Sequence, residues 1–255
     1  MATIQLKFGT LALDSTNNIT ISKISEKAAK PVQTTNIPLA DGAIAETAKI
    51  GPKIITIEGD IAGTSYDNLR TNIDSLHSGL LGQGLAKLTK DNERYIYCQL
   101  KDFSFAYGHL TRFATWSAQF VAHYPFWLSE TATTDVRAPA SASSYVLSPS
   151  GNAPTRCKVE VTANGQIADA FLLANTTLGI SFQYRGTIAA AATLEIDNRY
   201  DTDDFQCLNA GSDDLKNFEG DFMMLASGTN VISPTFTSTD ASAPSIKITY
   251  RNCWY

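Results

Sequence analysis

The densest group of potential metal ligands in this sequence is the carboxylate run Asp201-Thr-Asp-Asp204. A calcium loop of the EF-hand type needs glycine at its sixth position and glutamate at its twelfth, because the chain must turn sharply and complete the coordination shell. Counted from Asp201, those positions hold Gln206 and Ser212. The run therefore fits a solvated acidic loop better than an EF-hand, and a calcium site of another kind stays open.

Carboxylates on strands are the next residues whose type suits acid–base chemistry. Glycoside hydrolysis needs two such groups on either side of the scissile bond. A nucleophilic serine needs a G-x-S-x-G turn, and no such pattern occurs. Because no complete set of catalytic roles can be assembled, we expect no enzyme, no catalytic residue and no cofactor. The strand carboxylates are Glu58, Asp60, Glu160 and Glu195.

The cysteines and histidines do not follow a metal-binding pattern. No CxxC pair occurs and the histidines are scattered, which argues against a zinc site. We expect buried thiols in a protein made in a reducing cytoplasm. Cys157 and Cys253 would become neighbours if the terminal strands of the second half pair, so a disulfide between them stays open. The residues are Cys98, Cys157, Cys207, Cys253, His77, His109 and His123.

Aromatic side chains offer the remaining binding chemistry. A lectin-like sandwich binds sugars through exposed aromatic rings beside polar groups. Aromatic residues are also enriched in cores and interfaces, and we favour that role here. The candidate rings in or beside the second half are Tyr145, Tyr184, Trp254 and Tyr255.

Length and charge narrow the class of protein. A chain of 255 residues is at the upper limit for a single core, which predicts two domains. The net charge of −5, without any run of lysine and arginine, argues against nucleic-acid binding. The sequence has no apolar segment long enough to predict a transmembrane helix. Its first eight residues alternate between apolar and polar side chains, as in a strand, and do not resemble a secretion signal.

The first half contains one predicted helix, near 65–81. Thr64 or Ser65 can cap it, and Asp67 lies in its first turn. Glycines at its end are expected to stop it and to supply left-handed conformations. Its apolar stripe, at steps of three and four, predicts packing on a sheet. The stripe is Tyr66, Leu69, Ile73, Leu76 and Leu80, and the glycines are Gly79, Gly82 and Gly84.

Around the helix the apolar pattern has a period nearer two, which is typical of strands. Strands are expected at 52–61, 94–100, 103–107 and 113–121. Asp91-Asn92 is a turn signal, and 108–112 is expected to close a hairpin.

The second half is expected to be all β. Small and polar residues dominate 131–150, which predicts a linker between a domain at 1–130 and a domain at 151–255. Beyond it, short strands alternate with turn signals, as in a sandwich or jelly roll. The strand at 246–251 alternates most clearly, with Ile246, Ile248 and Tyr250 on one face.

The order of these elements resembles the distal tail proteins (Dit) of long-tailed bacteriophages. The resemblance rests on Ile57-Glu-Gly-Asp-Ile61, then the helix, then Gly82-Gln-Gly84 and Tyr95-Ile-Tyr97, and it closes on the aromatic signature Tyr124-Pro-Phe-Trp127. In the second half it rests on Gly151-Asn-Ala-Pro-Thr155, Gly228-Thr-Asn-Val-Ile232 and the strand 246–251.

The resemblance implies a mainly β fold. An N-terminal β-barrel or sandwich-like domain with one packed helix would be followed by a C-terminal galectin-like sandwich. It also implies a structural role in the virion after assembly in the bacterial cytoplasm. Six copies would form a ring at the tail tip that joins the tail tube protein to the tail hub or fibre protein and carries receptor-binding proteins in many members. The alternative is a carbohydrate-binding module that contacts the host surface.

Overall fold

The chain forms two units in a computed structural model, Met1–Trp127 and Leu128–Tyr255. The structure describes residues 5–28, 34–36, 43–45, 50–108, 112–200, 205–238 and 243–255. Within these ranges, no helix is long and apolar enough to cross a lipid bilayer.

The first unit combines nine strands with one α-helix and a short 3-10 turn at Ser15–Asn17. A tenth strand, β10 (Trp127–Ser129), spans the boundary between the units. The elements are β1 (Leu6–Phe8), β2 (Leu11–Ala12), β3 (Ile19–Ala28), β4 (Thr34–Asn36), β5 (Ala43–Ala45), β6 (Lys53–Ala62), α1 (Tyr66–Leu81), β7 (Ala86–Lys90), β8 (Arg94–Tyr107) and β9 (Phe113–Ala122).

Seven of these strands form one antiparallel sheet in the order β2-β1-β7-β8-β9-β6-β3. Strands β4 and β5 pair with each other. Phe8 and Phe120 are both fully buried in the core of this unit and meet at 4.8 Å between ring centroids. Burial of two such rings contributes several kcal/mol, and the contact joins β1 to β9 across the sheet.

Helix α1 confirms the prediction made for 65–81. Ser65 caps it, since its Oγ accepts from the Asn68 N–H at 3.2 Å. Four of the five predicted stripe residues are buried, and α1 packs on β6 and β8. The fifth, Tyr66, is 49% exposed.

The glycines after the apolar stripe behave differently from the prediction. Gly79 lies inside α1, and a Cβ there would come within 3.1 Å of the Leu11 side chain. Gly82 ends the helix in a right-handed conformation, with φ −68°. The expectation of left-handed exits was therefore wrong, because none of the three glycines has a positive φ. Glycine is needed at 79 because the Leu11 side chain packs closely against it.

The predicted turns of the first unit join paired strands. Asp91 and Asn92 both have positive φ, 53° and 54°, and together with Glu93 they form the three-residue connection between β7 and β8. Strands β8 and β9 pair as the predicted hairpin, and the Gly108 N–H donates to the Phe113 carbonyl at 3.1 Å. Residues 109–111 of the connection, including His109, lie outside the described residues.

The second unit is built from strands and a 3-10 turn at Leu215–Asn217. Its strands are β11 (Thr133–Arg137), β12 (Tyr145–Leu147), β13 (Thr155–Thr162), β14 (Ile167–Asn175), β15 (Ile180–Tyr184), β16 (Thr193–Asp197), β17 (Gln206–Asn209), β18 (Ser212–Asp213), β19 (Phe218–Gly220), β20 (Met224–Leu225), β21 (Asn230–Ser238), β22 (Ser245–Tyr250) and β23 (Cys253–Trp254).

Two antiparallel sheets of the second unit enclose one core. Their strand orders are β11-β22-β13-β16-β17-β18 and β12-β21-β14-β15-β19. Each strand contributes alternate residues, as in β22, where Ile246, Ile248 and Tyr250 are buried as predicted. Both sheets supply the same buried cluster, so the unit is a β-sandwich.

Residues 131–150, predicted as a linker, contain two strands of this sandwich. β11 pairs with β22 over five residues, and β12 pairs with β21. Small and polar residues are abundant here because these are short edge strands, and only Leu147 of β12 is buried. The structure divides instead at Trp127, and the predicted mainly β class with one packed helix is confirmed.

Candidate functional site

Among the described residues, the candidate metal ligands do not assemble into a site. Asp201-Thr-Asp-Asp204 lies outside the described residues. In the part of the chain that is described, no three His, Cys, Asp or Glu side chains are grouped as metal ligands.

The strand carboxylates of the second unit are bound to lysines. Glu160 forms a salt bridge with Lys247, 2.8 Å between Oε2 and Nζ, and Glu195 forms one with Lys158, 2.6 Å between the same atoms. Burial alone would raise the pKa of Glu160, but hydrogen bonds and charge from the two lysines outweigh burial and leave that pKa lowered. A carboxylate held ionised in this way is suited to an ion pair and poorly suited to donating a proton.

All four cysteines are buried free thiols, as expected. The Cys253 thiol contacts Thr155 Oγ1 at 3.2 Å, while the Cys157 thiol donates to the Met223 carbonyl at 3.5 Å. The open possibility of a Cys157–Cys253 disulfide is therefore answered in the negative. Burial raises the pKa of Cys98 to about 12, which makes that thiol inert near neutral pH.

The aromatic rings considered as sugar-binding candidates differ in exposure. Tyr184 is fully buried and hydrogen-bonds Asp214, so it cannot serve as a platform. Tyr145 and Trp254 are half-buried, and Tyr255 is 57% exposed. The sequence patterns did not single out Phe205, which is 52% exposed and lies 5.2 Å from the Arg156 guanidinium.

The aromatic signature Tyr124-Pro-Phe-Trp127 packs onto the first unit. Trp127 is 5% exposed, and its indole N–H donates to Glu26 at 2.9 Å. The same Glu26 oxygen accepts from the buried Lys53 at 3.1 Å. The signature therefore ties the end of the unit to β3 and β6 through one shared carboxylate.

The surface best suited to assembly is a four-stranded antiparallel sheet formed by β8, β9, β6 and β3, which we call the open-edged sheet. Among the described strands, β3 pairs only with β6. At the other edge, the ladder between β7 and β8 ends at Cys98, and β8 continues to Tyr107 beyond it. Backbone groups at such edges are ready to pair with another strand.

One face of the open-edged sheet is apolar and is partly covered by α1. Ile57 and Ala118 are fully buried there. At the β8 edge, the same face carries an aromatic strip, defined as Phe103, Phe105 and Tyr107. Phe105 is 44% and Tyr107 is 47% exposed, which is unusual for large apolar side chains on one strand. Helix residues flank the strip, because His77 stacks on Phe103 and Tyr66 contacts Tyr107.

The opposite face of the open-edged sheet carries many polar side chains. It has a shallow concavity beside Glu58 and Asp60, lined further by Ser104, Thr115 and Ser117. Glu58 contacts Lys23 at 3.4 Å across the neighbouring strand. The two predicted carboxylates thus lie on one exposed wall, and hydroxyl groups surround them.

Comparison with known proteins finds similarity in fold and none in sequence. No family model and no curated protein matches the chain. A solved structure of SPP1 Dit, described as a hub adsorption apparatus of phages that infect Gram-positive hosts, aligns with a TM-score of 0.75 and 12% identity over 100% of both chains.

Two structures of the phage P2 baseplate in its activated conformation align at lower TM-scores. The one with calcium gives 0.46 at 12% identity, over 97% of this chain and 98% of the other. The one with strontium gives 0.44 at 11% identity, over 96% and 98%. The SPP1 Dit alignment alone confirms the predicted resemblance at the level of fold, and the protein has a Dit-like fold over its whole length.

Proposed function

We propose that this protein is a structural component of a phage tail tip. It forms a ring, with six copies as the expected number, that joins the tail tube to the hub, fibre or receptor-binding proteins of the virion. The observation that carries the proposal is the whole-length match to SPP1 Dit, a hub protein, at a TM-score of 0.75. A scaffold role also needs no catalytic site, which fits the ion-paired carboxylates and inert thiols.

The open-edged sheet supplies a physical route to a ring. A chain that presents two different edges makes a heterologous contact, which closes into a ring when the rotation between copies is suitable. β3 and the outer half of β8 are two such edges on one sheet. The aromatic strip beside the β8 edge adds apolar area that a neighbouring copy would remove from water.

The polar face of the open-edged sheet is suited to line a channel. It presents the carboxylates of Glu58 and Asp60 among the hydroxyl groups of three neighbouring residues, Ser104, Thr115 and Ser117. A polyanion such as DNA passes such a wall without adhering, because carboxylates repel phosphates. This arrangement supports a tube-like ring with the polar face inward.

Light scattering coupled to size-exclusion chromatography tests the proposal. We expect purified protein at increasing concentration to reach a discrete mass six times the 27.6 kDa of one chain. A chain that stays monomeric at every concentration, and in the presence of its tail tube protein, would contradict the ring.

A carbohydrate-binding role is a second candidate, and one surface favours it. The Arg156 guanidinium lies 4.2 Å from the Tyr200 ring and 5.2 Å from Phe205, so an exposed ring and a cation are adjacent. Rings and guanidinium groups together bind the apolar and hydroxyl faces of sugars. A glycan array with the full chain and a Phe205→Ala control tests this role. Binding that the substitution abolishes would support it, and no binding would leave the scaffold role alone.

A further inference from the structure

We propose a specific seam between copies, which rests on the ring proposed above. Strand β3 of one copy pairs with the outer half of β8 in the next copy, over residues 101–107. Lys27 and Asp102 form an ion pair across this seam on the polar face, and the aromatic strip packs on isoleucines of β3 on the other face. The occupant of the exposed aromatic strip is therefore a second copy of this chain.

Strand direction favours this pairing. The open-edged sheet has four strands, and each pair of neighbours is antiparallel. Because the number of strands is even, the two edge strands of the sheet, β3 and β8, run in opposite directions. A second copy placed beside the first in the same orientation therefore continues the antiparallel pattern without inversion. A sheet with an odd number of strands would have required a parallel junction.

Charge on the polar face is complementary at the two edges. The register places Asp102, Gln119, Thr56 and Ser25 in one row across the four strands. Lys27 is two residues from Ser25, so it lies diagonally opposite Asp102 of the next copy when the same row continues. Long side chains bridge such diagonal positions.

Lys27 and Asp102 are both exposed, and neither has a partner among the described residues. Lys23, the other lysine on this stretch of β3, already contacts Glu58. An unpaired cation at one edge and an unpaired anion at the other are the complementarity that a head-to-tail contact needs.

Apolar side chains also match at the two edges. Phe103 shares a row with Ile24, Phe105 with Ile21, and Tyr107 with Ile19. Ile21 and Ile24 are half-buried in the single chain, so each has surface left to cover. Continuing the rows into a second copy sets each aromatic ring beside an isoleucine. Aromatic and β-branched residues are favourable cross-strand partners.

Charge reversal tests the seam in the full chain. We expect Lys27→Glu and Asp102→Lys each to raise the concentration at half assembly by about tenfold or more, because like charges then face each other at every seam. The double variant Lys27→Glu/Asp102→Lys restores the opposite charges and is expected to assemble like the wild type. Lys216→Glu, which makes the same charge change at an 82% exposed side chain of the second unit, is the matched control and is expected to have no effect.

The outcomes separate the seam from the ring. Weaker assembly of both single variants, with assembly restored in the double variant, supports the seam. Equal assembly of all variants overturns the seam while ring formation stands. A wild-type chain that never assembles overturns both.

A cysteine pair gives a second readout that does not depend on charge. Within one chain, β3 and β8 are separated by two strands, so positions 25 and 102 are roughly 14 Å apart at the usual strand spacing and cannot form a disulfide. Ser25→Cys/Asp102→Cys, at the two positions that face each other directly across the seam, should therefore cross-link only between copies and give a ladder that ends at the closed ring. Single-cysteine variants should give no ladder, and a double variant that behaves like them would overturn the seam.

Discussion

At the scale of single residues, the second unit depends on a buried amide that its motif does not reveal. Asn230 lies in Gly228-Thr-Asn-Val-Ile232 and is fully buried. Its Oδ1 accepts from the Ala226 N–H at 2.7 Å and from the Asn175 amide at 3.0 Å, while its own amide donates to Ala226 and Gly228 carbonyls at 2.9 Å. One side chain therefore binds three backbone groups and the buried Asn175 amide at once.

Replacing Asn230 by alanine should lower the free energy of unfolding by about 2–4 kcal/mol, because the buried Asn175 amide and the Ala226 N–H both lose their acceptor. Thr229→Ala, at the exposed neighbouring position, is the control and should change stability little. Urea denaturation of both variants measures the difference. Equal stability would mean that water reaches the Asn230 pocket.

A second prediction at the residue scale concerns acid. Burial would raise the pKa of Asp197, but the bidentate contact and backbone hydrogen bond from Arg199 outweigh burial and leave that pKa lowered. Because the pKa of Asp197 is lower in the folded state than in the unfolded state, the ionised carboxylate stabilises the fold at pH values above the usual aspartate pKa. This stabilisation is lost as the pH falls through the folded-state pKa. The free energy of unfolding should therefore drop between about pH 5 and pH 2, and Asp197→Asn should flatten that drop. Parallel slopes for the two proteins would contradict the role of Asp197.

At the scale of elements, α1 was the most predictable part of the fold. Its cap and apolar stripe are local signals, so Ser65 and Leu69 could be placed without knowing any tertiary contact. The open-edged sheet could not be derived in this way, because the β3–β6 and β6–β9 ladders join strands that are far apart in sequence. Strand periodicity indicates which face is apolar and does not indicate which strand lies at an edge.

The same limit explains the other differences. Residues 131–150 are rich in small polar residues because short edge strands need few buried side chains, and composition alone does not separate such strands from a linker. Tyr184 was a candidate platform because ring type says nothing about burial, and it lies fully inside the sandwich. Phe205 gave no pattern because its neighbour Arg156 is distant in sequence.

Two adjacent leucines at the end of α1 test how the helix packs. Leu80 is fully buried and Leu81 is 62% exposed. Leu80→Ala should cost about 2–4 kcal/mol, since it leaves a cavity between α1 and the sheet. Leu81→Ala, as the matched control, should cost less than about 1 kcal/mol. Thermal unfolding of both variants gives the comparison, and similar losses would contradict the packing of α1.

At the scale of the whole molecule, each unit has its own core and the proposed assembly depends on the first. The fragment 128–255 contains both sheets of the sandwich and its complete buried cluster. We expect it to unfold cooperatively and to stay monomeric at concentrations where the full chain assembles. Light scattering on the fragment checks this prediction. A fragment that forms the same discrete oligomer would move the interface to the second unit.

Electron microscopy of the purified full-length protein tests the central claim most directly. Negative-stain class averages should show closed rings with six-fold symmetry and a central opening, since two unlike edges of one sheet can meet only head to tail. Isolated monomers, or two-fold dimers built from a self-complementary surface, would contradict the account.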